Sequence, residues 1–379
     1  MSLRIGLFYP NFYADHALSG VVARANMKLE DFSTHQAVAR ACEDARLDYV
    51  FMADGYAPYG EKSHAAMIRD PLLMAPLLAM TVLGATRRLR CITTLHTSWH
   101  HPLTIARMGA TLDSMSGGRW GVNIVTGGGS FGPPLDPDFI GRFGHDERYD
   151  RAAEAMEIIA QAWSGKPVDF SGEYFEVHGQ VVHPVPVQQP RPLVVSAGAS
   201  DAGRAFAGRY ADYTFLPGRT QKDELMRRVA DMRRVAADNG RGDEAIRVQI
   251  HASVCVRETE EEAREYSDWV AESVDLDLVV EYLNAVRAQI STYDDIYAQM
   301  GELQMREIGS VSGARRIHGS ADAVADEIEM LYRDYGASGL VITLPIWSPD
   351  EIRLLGTLLM PRLAERGIWE PPKARGHGW

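Results

Sequence analysis

Short apolar runs rich in β-branched residues alternate along the chain with longer stretches in which apolar residues recur every three or four positions. The short runs predict strands, and the longer stretches predict helices with one apolar face. The predicted strands are residues 4–8, 49–52, 90–94, 120–125, 193–196, 213–215, 247–256 and 340–343. The predicted helices are residues 32–45, 71–86, 102–116, 146–163, 200–208, 222–239, 320–335 and 348–366.

This alternation is typical of βα units around a parallel sheet. Eight strands in a chain of 379 residues favour an α/β fold of the closed (β/α)8 kind, the TIM barrel, over an open doubly wound sheet. Three stretches break the alternation: the Gly- and Pro-rich residues 127–145, a hairpin-like pattern at 167–190, and the polar residues 276–319. We therefore expect one domain over residues 1–379, with these insertions on the catalytic rim of the barrel.

Composition narrows the class of protein. Hydrophobic residues make up 46% of the chain, which favours a large core. The formal net charge of -12 disfavours nucleic acid or an acidic membrane as a partner. No window approaches the roughly 18 apolar residues of a membrane span, so we expect a soluble, cytoplasmic protein. Cys42, Cys91 and Cys255 lie far apart in apolar runs, which predicts buried free thiols rather than disulfides or a zinc site.

Residues 100–127, HHPLTIARMGATLDSMSGGRWGVNIVTG, form the most specific segment. Its amphipathic helix stops at Gly117 and Gly118, which tolerate the left-handed backbone of a helix end. The strand that follows carries Asn123 and Thr126 to its C-terminal end, where βα barrels place reacting groups. The simpler alternative is that the glycines only end a helix and that Asn123 is a buried amide bonded to backbone.

This segment resembles the bacterial-luciferase-like flavin monooxygenases, in which a helix reading like ARMAATLDRLSGGR precedes a strand reading like NxVTG. Further matches follow in the family's order: HDERY at 145–149, DFSGEYF at 169–175, VSAGASDAG at 195–203 and VRET at 256–259. Within the family, the chain is most similar to two-component enzymes that take reduced FMN from a separate flavin reductase. These are the pyrimidine oxygenases and the dimethylsulfone and alkanesulfonate monooxygenases.

The resemblance implies a monooxygenase that uses reduced FMN and O2 on a small sulfonate, sulfone or N-heterocycle, in a homodimer or homotetramer. It also implies that the flavin is lined by Asp54, Thr94, Asn123, Arg148, Tyr149 and Ser200. The turn from Gly198 to Asp201 joins a strand to a helix, so its N–H groups and the Ser200 hydroxyl can hold a phosphate, over which Arg148 and Tyr149 can close. The simpler alternatives are a helix N-cap for Ser200 and a solvated position for Arg148.

Three side chains are the predicted catalytic residues. Thr94 and Asn123 end neighbouring strands, where a hydroxyl and an amide can bond to the flavin N5 region and to dioxygen; the alternative is a pair of satisfied core groups. His251 projects from the seventh strand, and its imidazole can move a proton or bind an anion. His96, His100 and His101 follow the third strand and are expected near the same mouth. No HExxH motif or spaced carboxylates accompany them, and we expect no metal.

Two departures from the family pattern leave the substrate open. His251 and Ser253 stand where alkanesulfonate monooxygenases carry an arginine and a histidine. Residues 128–134, GGSFGPP, replace an aromatic residue followed by an acidic one.

Other interpretations of the sequence also stay open. Arg306, Arg315 and Arg316 either close over an anionic substrate or the flavin phosphate, or are solvated surface residues. An F420-dependent oxidoreductase of the same superfamily and a non-catalytic flavin-binding protein remain alternatives for the whole chain. An aldolase-like barrel would need a strand-borne lysine, and the predicted inner strands carry none.

Overall fold

The structure is a computed structural model that describes residues 2–14, 16–127, 143–242, 245–287 and 300–372. Its strands are β1 (Arg4–Phe8), β2 (Tyr49–Met52), β3 (Arg90–His96), β4 (Trp120–Val125), β5 (Val168–Ser171), β6 (Glu176–Gln180), β7 (Leu193–Ser196), β8 (Tyr213–Pro217), β9 (Arg247–Arg257), β10 (Arg315–Ser320) and β11 (Gly339–Thr343). Its helices are α1 (Gly20–Ala25), α2 (Phe32–Asp44), α3 (Glu61–Ala65), α4 (Ala75–Ala85), α5 (Pro102–Ser116), α6 (His145–Trp163), α7 (Asp201–Tyr210), α8 (Lys222–Asp238), α9 (Glu260–Glu272), α10 (Leu276–Arg287), α11 (Glu302–Gly309), α12 (Ala321–Asp334), α13 (Pro349–Leu354) and α14 (Met360–Glu365), with a π-helical turn, Leu355–Leu359, between the last two.

Parallel pairing closes eight of the described strands into a barrel. Their order is β1, β2, β3, β4, β7, β8, β9 and β11, and β11 returns to pair with β1. The closing pair, β8 with β9, runs from Tyr213 opposite Arg247 to Pro217 opposite His251. The predicted (β/α)8 barrel is therefore confirmed, and all eight predicted strands are present, β3 continuing past residue 94 to His96.

Aromatic side chains fill the inside of the barrel. Gly6 on β1 leaves room for the ring of Tyr49, since a Cβ atom at Gly6 would lie 2.2 Å from Tyr49 Cε2. Two residues farther along β2, Phe51 stacks on Phe215 with the ring centroids 5.1 Å apart. The interior is thus closed by side chains below its C-terminal mouth, as in other packed barrels.

The tenth strand was not predicted. β9 is long enough for β8 to pair with its first half and for β10 to pair with its second, from Arg315 opposite Ala252 to Ser320 opposite Arg257. The sequence of β10, RRIHGS, is polar and lacks the apolar alternation that marks a strand. Ile317 is its one large apolar side chain in the core, so the pairing with β9 is the main feature that defines this strand.

The predicted insertions have different outcomes. Residues 167–190 contain the antiparallel hairpin of β5 and β6, and residues 276–319 contain α10, α11 and β10. Most of the 127–145 segment, including the GGSFGPP run, lies outside the described residues, as do 288–299 and the end of the C-terminal tail.

Other boundaries need correction or confirmation. The helix predicted from residue 71 begins at Ala75, because Leu72 bridges to Phe12 instead. The sequence analysis also did not predict α1, α3 and α9.

Cys42, Cys91 and Cys255 are buried and free, as predicted. No helix within the described ranges is long and apolar enough to cross a membrane.

Substituting Gly6 tests the packing of the barrel interior. Gly6→Ala forces the Tyr49 ring to move, and we expect the free energy of unfolding to fall by about 1–3 kcal/mol, the range for overpacked cores. Gly84→Ala in α4 is the matched control, because a Cβ atom there meets nothing within 4 Å and alanine favours the helix by up to about 1 kcal/mol. Thermal unfolding of both variants is the measurement; equal midpoints would contradict the packing described.

Candidate active site

A cavity of about 460 Å³ opens at the C-terminal ends of the barrel strands. Its floor includes the rings of Phe8, Phe51 and Phe215, which lie on β1, β2 and β8. Cofactor and ligand pockets have volumes of about 300–1,000 Å³, and they favour this end of a βα barrel. The cavity is therefore the candidate active site.

Thr94 and Asn123 lie side by side in the wall of this cavity. Their strands pair in parallel with Thr94 opposite Asn123, and the Asn123 Nδ2 donates to Thr94 Oγ1 at 3.0 Å. Both residues are 4% exposed, and Asn123 Oδ1 has no hydrogen-bond partner among the described residues. An unpaired buried carbonyl is costly, by about 1–3 kcal/mol. The alternative of two satisfied core groups therefore does not describe Asn123, whose oxygen can accept an N–H from a ligand.

The turn after β7 forms one end of the cavity. Gly198 and Tyr149 line it, and Gly198 packs so closely that an added Cβ atom would lie 2.7 Å from Gly203 Cα and 2.8 Å from the Tyr149 hydroxyl. Ser200 caps α7, its Oγ accepting the Gly203 N–H at 3.1 Å, and it also bonds to Tyr149. This hydrogen bond is the helix cap that the simpler alternative assigned to Ser200. Ser200 is not part of the cavity lining, and a contact of Ser200 with a phosphate stays a prediction.

Arg148 lies next to Tyr149 near the start of α6. It is half-buried and donates from Nη1 to the Phe143 carbonyl at 3.1 Å. Its Nε is buried without a partner among the described residues. The solvated-surface alternative therefore does not describe Arg148, although its side chain is not part of the cavity lining.

Asp54 lines the cavity just after β2. Burial raises the pKa of its carboxyl to about 6, although backbone N–H groups of Gly55, at 2.9 Å, and of Ala75 donate to it and act in the opposite direction. The carboxyl is thus protonated far more readily than an exposed aspartate.

The histidines divide into two groups. His96, His251 and His16, which the sequence analysis missed, line the cavity. His16 lies 5.5 Å from His251 between ring centroids, and burial lowers the pKa of both His16 and His96 to about 3, so both are neutral at pH 7. His100 and His101 were expected at the same mouth. His100 lies beside it, lining an adjoining pocket with Asp54, Gly55, Arg69 and Trp99. His101 caps α5 by accepting the Leu103 N–H at 3.3 Å, and neither residue lines the cavity.

Arg69 is another cavity residue that the sequence analysis missed. It lies on the rim between α3 and α4, 7% exposed, with a left-handed backbone at φ 54°.

The three arginines expected as lid candidates do not line the cavity. Arg306 pairs with Glu302 and Arg315 with Glu327, both at 2.9 Å, and Arg316 contacts Ser310. In the described ranges, no three His, Cys, Asp or Glu side chains are grouped as metal ligands.

Comparison with known proteins places this geometry in a family. The family model described as "Luciferase-like monooxygenase" matches residues 3–339. Component A of nitrilotriacetate monooxygenase from Aminobacter aminovorans is 27% identical, over 89% of this chain and 87% of that protein. The FMNH2-dependent dimethylsulfone monooxygenase of Pseudomonas putida is 32% identical over 49% of this chain and 50% of that protein. The crystal structure of a long-chain alkane monooxygenase superposes with a TM-score of 0.86 at 25% identity, covering 99% of this chain and 94% of the other.

The raised pKa of Asp54 predicts a pH-dependent stability. The pKa of the carboxyl is about 6 in the folded protein and 3.8 in the unfolded chain, so folding takes up a proton between these two pH values. The stability that this protonated carboxyl contributes is lost as pH rises through the folded pKa. Relative to Asp54→Asn, the flavin-free wild type should lose up to about 3 kcal/mol of unfolding free energy between pH 4 and 7, at about 1.4 kcal/mol per pKa unit. Urea unfolding of both proteins across this range is the measurement. A constant difference between them would contradict the buried environment of Asp54.

Proposed function

The chain belongs to the luciferase-like monooxygenase family, and we infer that it is a monooxygenase that uses reduced FMN and O2 to oxidise a small organic molecule. The observation that carries this inference is the Thr94–Asn123 pair at the barrel mouth, with the buried Asn123 Oδ1 left for a ligand. The FMNH2 dependence of the dimethylsulfone relative supports the choice of cofactor over F420. Sulfonates, sulfones and N-heterocycles are the proposed substrates.

The residues present fit an FMN molecule. Asn123 Oδ1 can accept an N–H of the isoalloxazine, and Gly198 allows Gly203 and the Tyr149 hydroxyl to pack closely at the turn into α7. We propose that this turn holds the phosphate, with Tyr149 beside it and Arg148 and Ser200 supporting it. Asp54 would complete the flavin site. When bound, reduced FMN supplies the electrons with which dioxygen is activated.

The chain's own groups would act on the charge that develops near the flavin. Because Thr94 Oγ1 accepts from Asn123, its hydroxyl hydrogen remains to be donated to a negatively charged oxygen. His251 stands across the aromatic floor, its ring centroid 5.5 Å from that of Phe8, and we propose it as the group that delivers or removes a proton. Phe8, Phe51 and Phe215 exclude water from beneath the reacting atoms.

A separate flavin reductase is the proposed partner. The chain has no GxGxxG turn after its first strand for a nicotinamide cofactor, and the nitrilotriacetate relative is component A of its monooxygenase. We also propose one domain over residues 1–379, a cytoplasmic location and a homodimer or homotetramer.

The proposed function is tested by supplying each reductant separately. We expect the protein to bind reduced FMN more tightly than oxidised FMN and to consume O2 with photoreduced FMN. It should oxidise at least one member of a panel of sulfonates, sulfones and pyrimidines. Anaerobic titration and product analysis are the measurements, with reduced F420 as the parallel arm. NADH oxidation by the pure protein, or turnover with F420 alone, would overturn the proposal.

Removing either polar group of the Thr94–Asn123 pair tests the mechanism. Asn123→Ala and Thr94→Val should leave reduced-FMN affinity within a few-fold, slow the oxygen step and release hydrogen peroxide without product. Loss of one such hydrogen-bond donor removes on the order of 3 kcal/mol of transition-state stabilisation. Thr93→Val is the matched control, because Thr93 faces away from the cavity and bonds to Trp120 Nε1 at 3.0 Å. Normal oxygen reactivity in stopped-flow traces, with oxygen consumption fully coupled to product in both variants, would show that the pair has only a structural role.

A further inference from the structure

Four side chains that touch one another in a row line the cavity from outside the barrel strands. They are Arg69, Tyr59, Tyr282 and Ser312, here called the rim row. Arg69 Cζ lies 5.4 Å from the centroid of the Tyr59 ring. The rings of Tyr59 and Tyr282 meet edge to face with their centroids 5.0 Å apart. The Tyr282 hydroxyl donates to the Ser312 carbonyl at 3.2 Å, which completes the row.

Both ends of the rim row have a left-handed backbone. The φ angles are 54° at Arg69 and 43° at Ser312, and only four non-glycine residues in the described ranges have a positive φ. This conformation is unfavourable for a non-glycine residue, so it persists only where surrounding contacts impose it, and such positions cluster at ligand sites. One of these contacts is the Arg69 N–H, which donates to the Ala14 carbonyl at 2.9 Å. The fold therefore holds the row in a fixed place.

A carboxylate fastens the middle of the row to the barrel rim. Tyr282 lies on α10, and its neighbour Glu281 faces the first turn of α3. The backbone N–H groups of Lys62 and Ser63 donate to the two Glu281 oxygens at 3.0 and 2.7 Å. Two backbone donors on one carboxylate fix its position and orientation. Tyr282 is thus anchored by the residue that precedes it.

Apolar contacts join the same two parts of the chain. Leu278 and Leu283 of α10 pack with Leu18 and Tyr59 in a buried cluster that is separate from the main core. The Asp275 N–H also donates to the Leu18 carbonyl at 3.0 Å, just before α10 begins. Because closely packed side chains leave little room for displacement, α10 forms a firm wall of the cavity.

The barrel strands and the insertion contribute different surfaces to the cavity. Phe8 and Phe215 lie on barrel strands, with their ring centroids 6.4 Å apart, and form part of an apolar floor. Tyr282 is half-buried, packing against the separate cluster and lining the cavity as well. Closure of the barrel fixes the floor, so the position of the Tyr282 ring determines how much space remains for a ligand.

We propose that Tyr282 is a specificity-determining residue, whose ring ends the space available to a substrate that lies on the floor and so limits the size of substrate that the cavity accepts. This rests on the monooxygenase function proposed above, because it assigns a wall on the substrate side of the same site. The insertion would then select by size, while the strand ends carry the reacting groups.

The test measures equilibrium binding of ligands that differ only in length. Two series are used, the n-alkyl methyl sulfones from methyl to octyl and the 5-alkyluracils of the same chain lengths, because both head groups belong to the proposed substrate classes. Calorimetric titrations are run anaerobically, with and without reduced FMN, so that no turnover is needed. In at least one series, each added methylene should strengthen binding to the wild type about 4-fold until the chain reaches Tyr282, and further methylenes should give no gain.

Variants of Tyr282 assign this length limit. Tyr282→Ala should move the limit to longer chains, so a ligand two carbons beyond the wild-type limit should bind the variant about 16-fold more tightly than the wild type. Tyr282→Phe keeps the ring and should keep the limit. Tyr335→Ala is the matched control, because Tyr335 lies outside the described cavity lining, beside Lys222, and it should leave the limit unchanged.

Three results overturn the proposal. The first is a wild-type affinity that keeps rising through the octyl ligand, and the second is a wild type that binds no member of either series at 10 mM. The third is a folded Tyr282→Ala that keeps the wild-type limit. If Tyr282→Ala does not fold, Tyr282→Leu decides by the same shift, because leucine retains an apolar contact with the cluster around α10.

The outcomes separate this proposal from the function on which it rests. A length limit that moves in Tyr282→Ala, in a protein that does not bind reduced FMN, would refute the proposed cofactor and retain the role of Tyr282. Flavin binding and O2 consumption with a limit that does not depend on Tyr282 would do the reverse.

Discussion

The site depends on the closure of the sheet, where β8 pairs with β9 from Tyr213 to Pro217. Without that pairing, β8 would lie at one edge of an open sheet and β9, with β10, at the other. His251 would then not face Phe8 and Phe215 across a common floor. Because the eight barrel strands run parallel, their C-terminal ends meet at one rim. The closure thus brings residues that are far apart in sequence into a single cavity.

The cavity contains polar groups that the rest of the fold does not satisfy. Asn123 Oδ1, His96 Nδ1 and His16 Nε2 are buried without hydrogen-bond partners among the described residues. Each such atom opposes folding, whereas the closely packed interior around Tyr49 and Gly6 favours it. These unsatisfied polar atoms lie at one mouth, above an apolar floor. A ligand with its own donors and acceptors would supply the hydrogen bonds that they lack.

The sequence predicts the barrel well because buried parallel strands are recognisable as short apolar runs between amphipathic helices. Thr94 and Asn123 follow from the same pattern, since each lies near the C-terminal end of such a strand. His251 lies in the middle of the long β9, opposite Pro217 at the end of β8. His16 and Arg69 do not follow from it, because both lie on rim segments without periodicity. In Arg69 the deciding feature is a positive φ, which the surrounding contacts impose and the local sequence does not signal. The polar β10 was missed for a related reason: its partner strand, and not its own pattern, makes it a strand.

The most direct test of the account is a crystal structure of the protein with FMN. We expect the isoalloxazine to lie at the barrel mouth with one of its N–H groups within hydrogen-bond distance of Asn123 Oδ1, and the phosphate at the turn after β7 beside Gly198 and Tyr149. An FMN molecule bound outside this cavity, or one with its phosphate away from the Gly198 turn, would contradict the account.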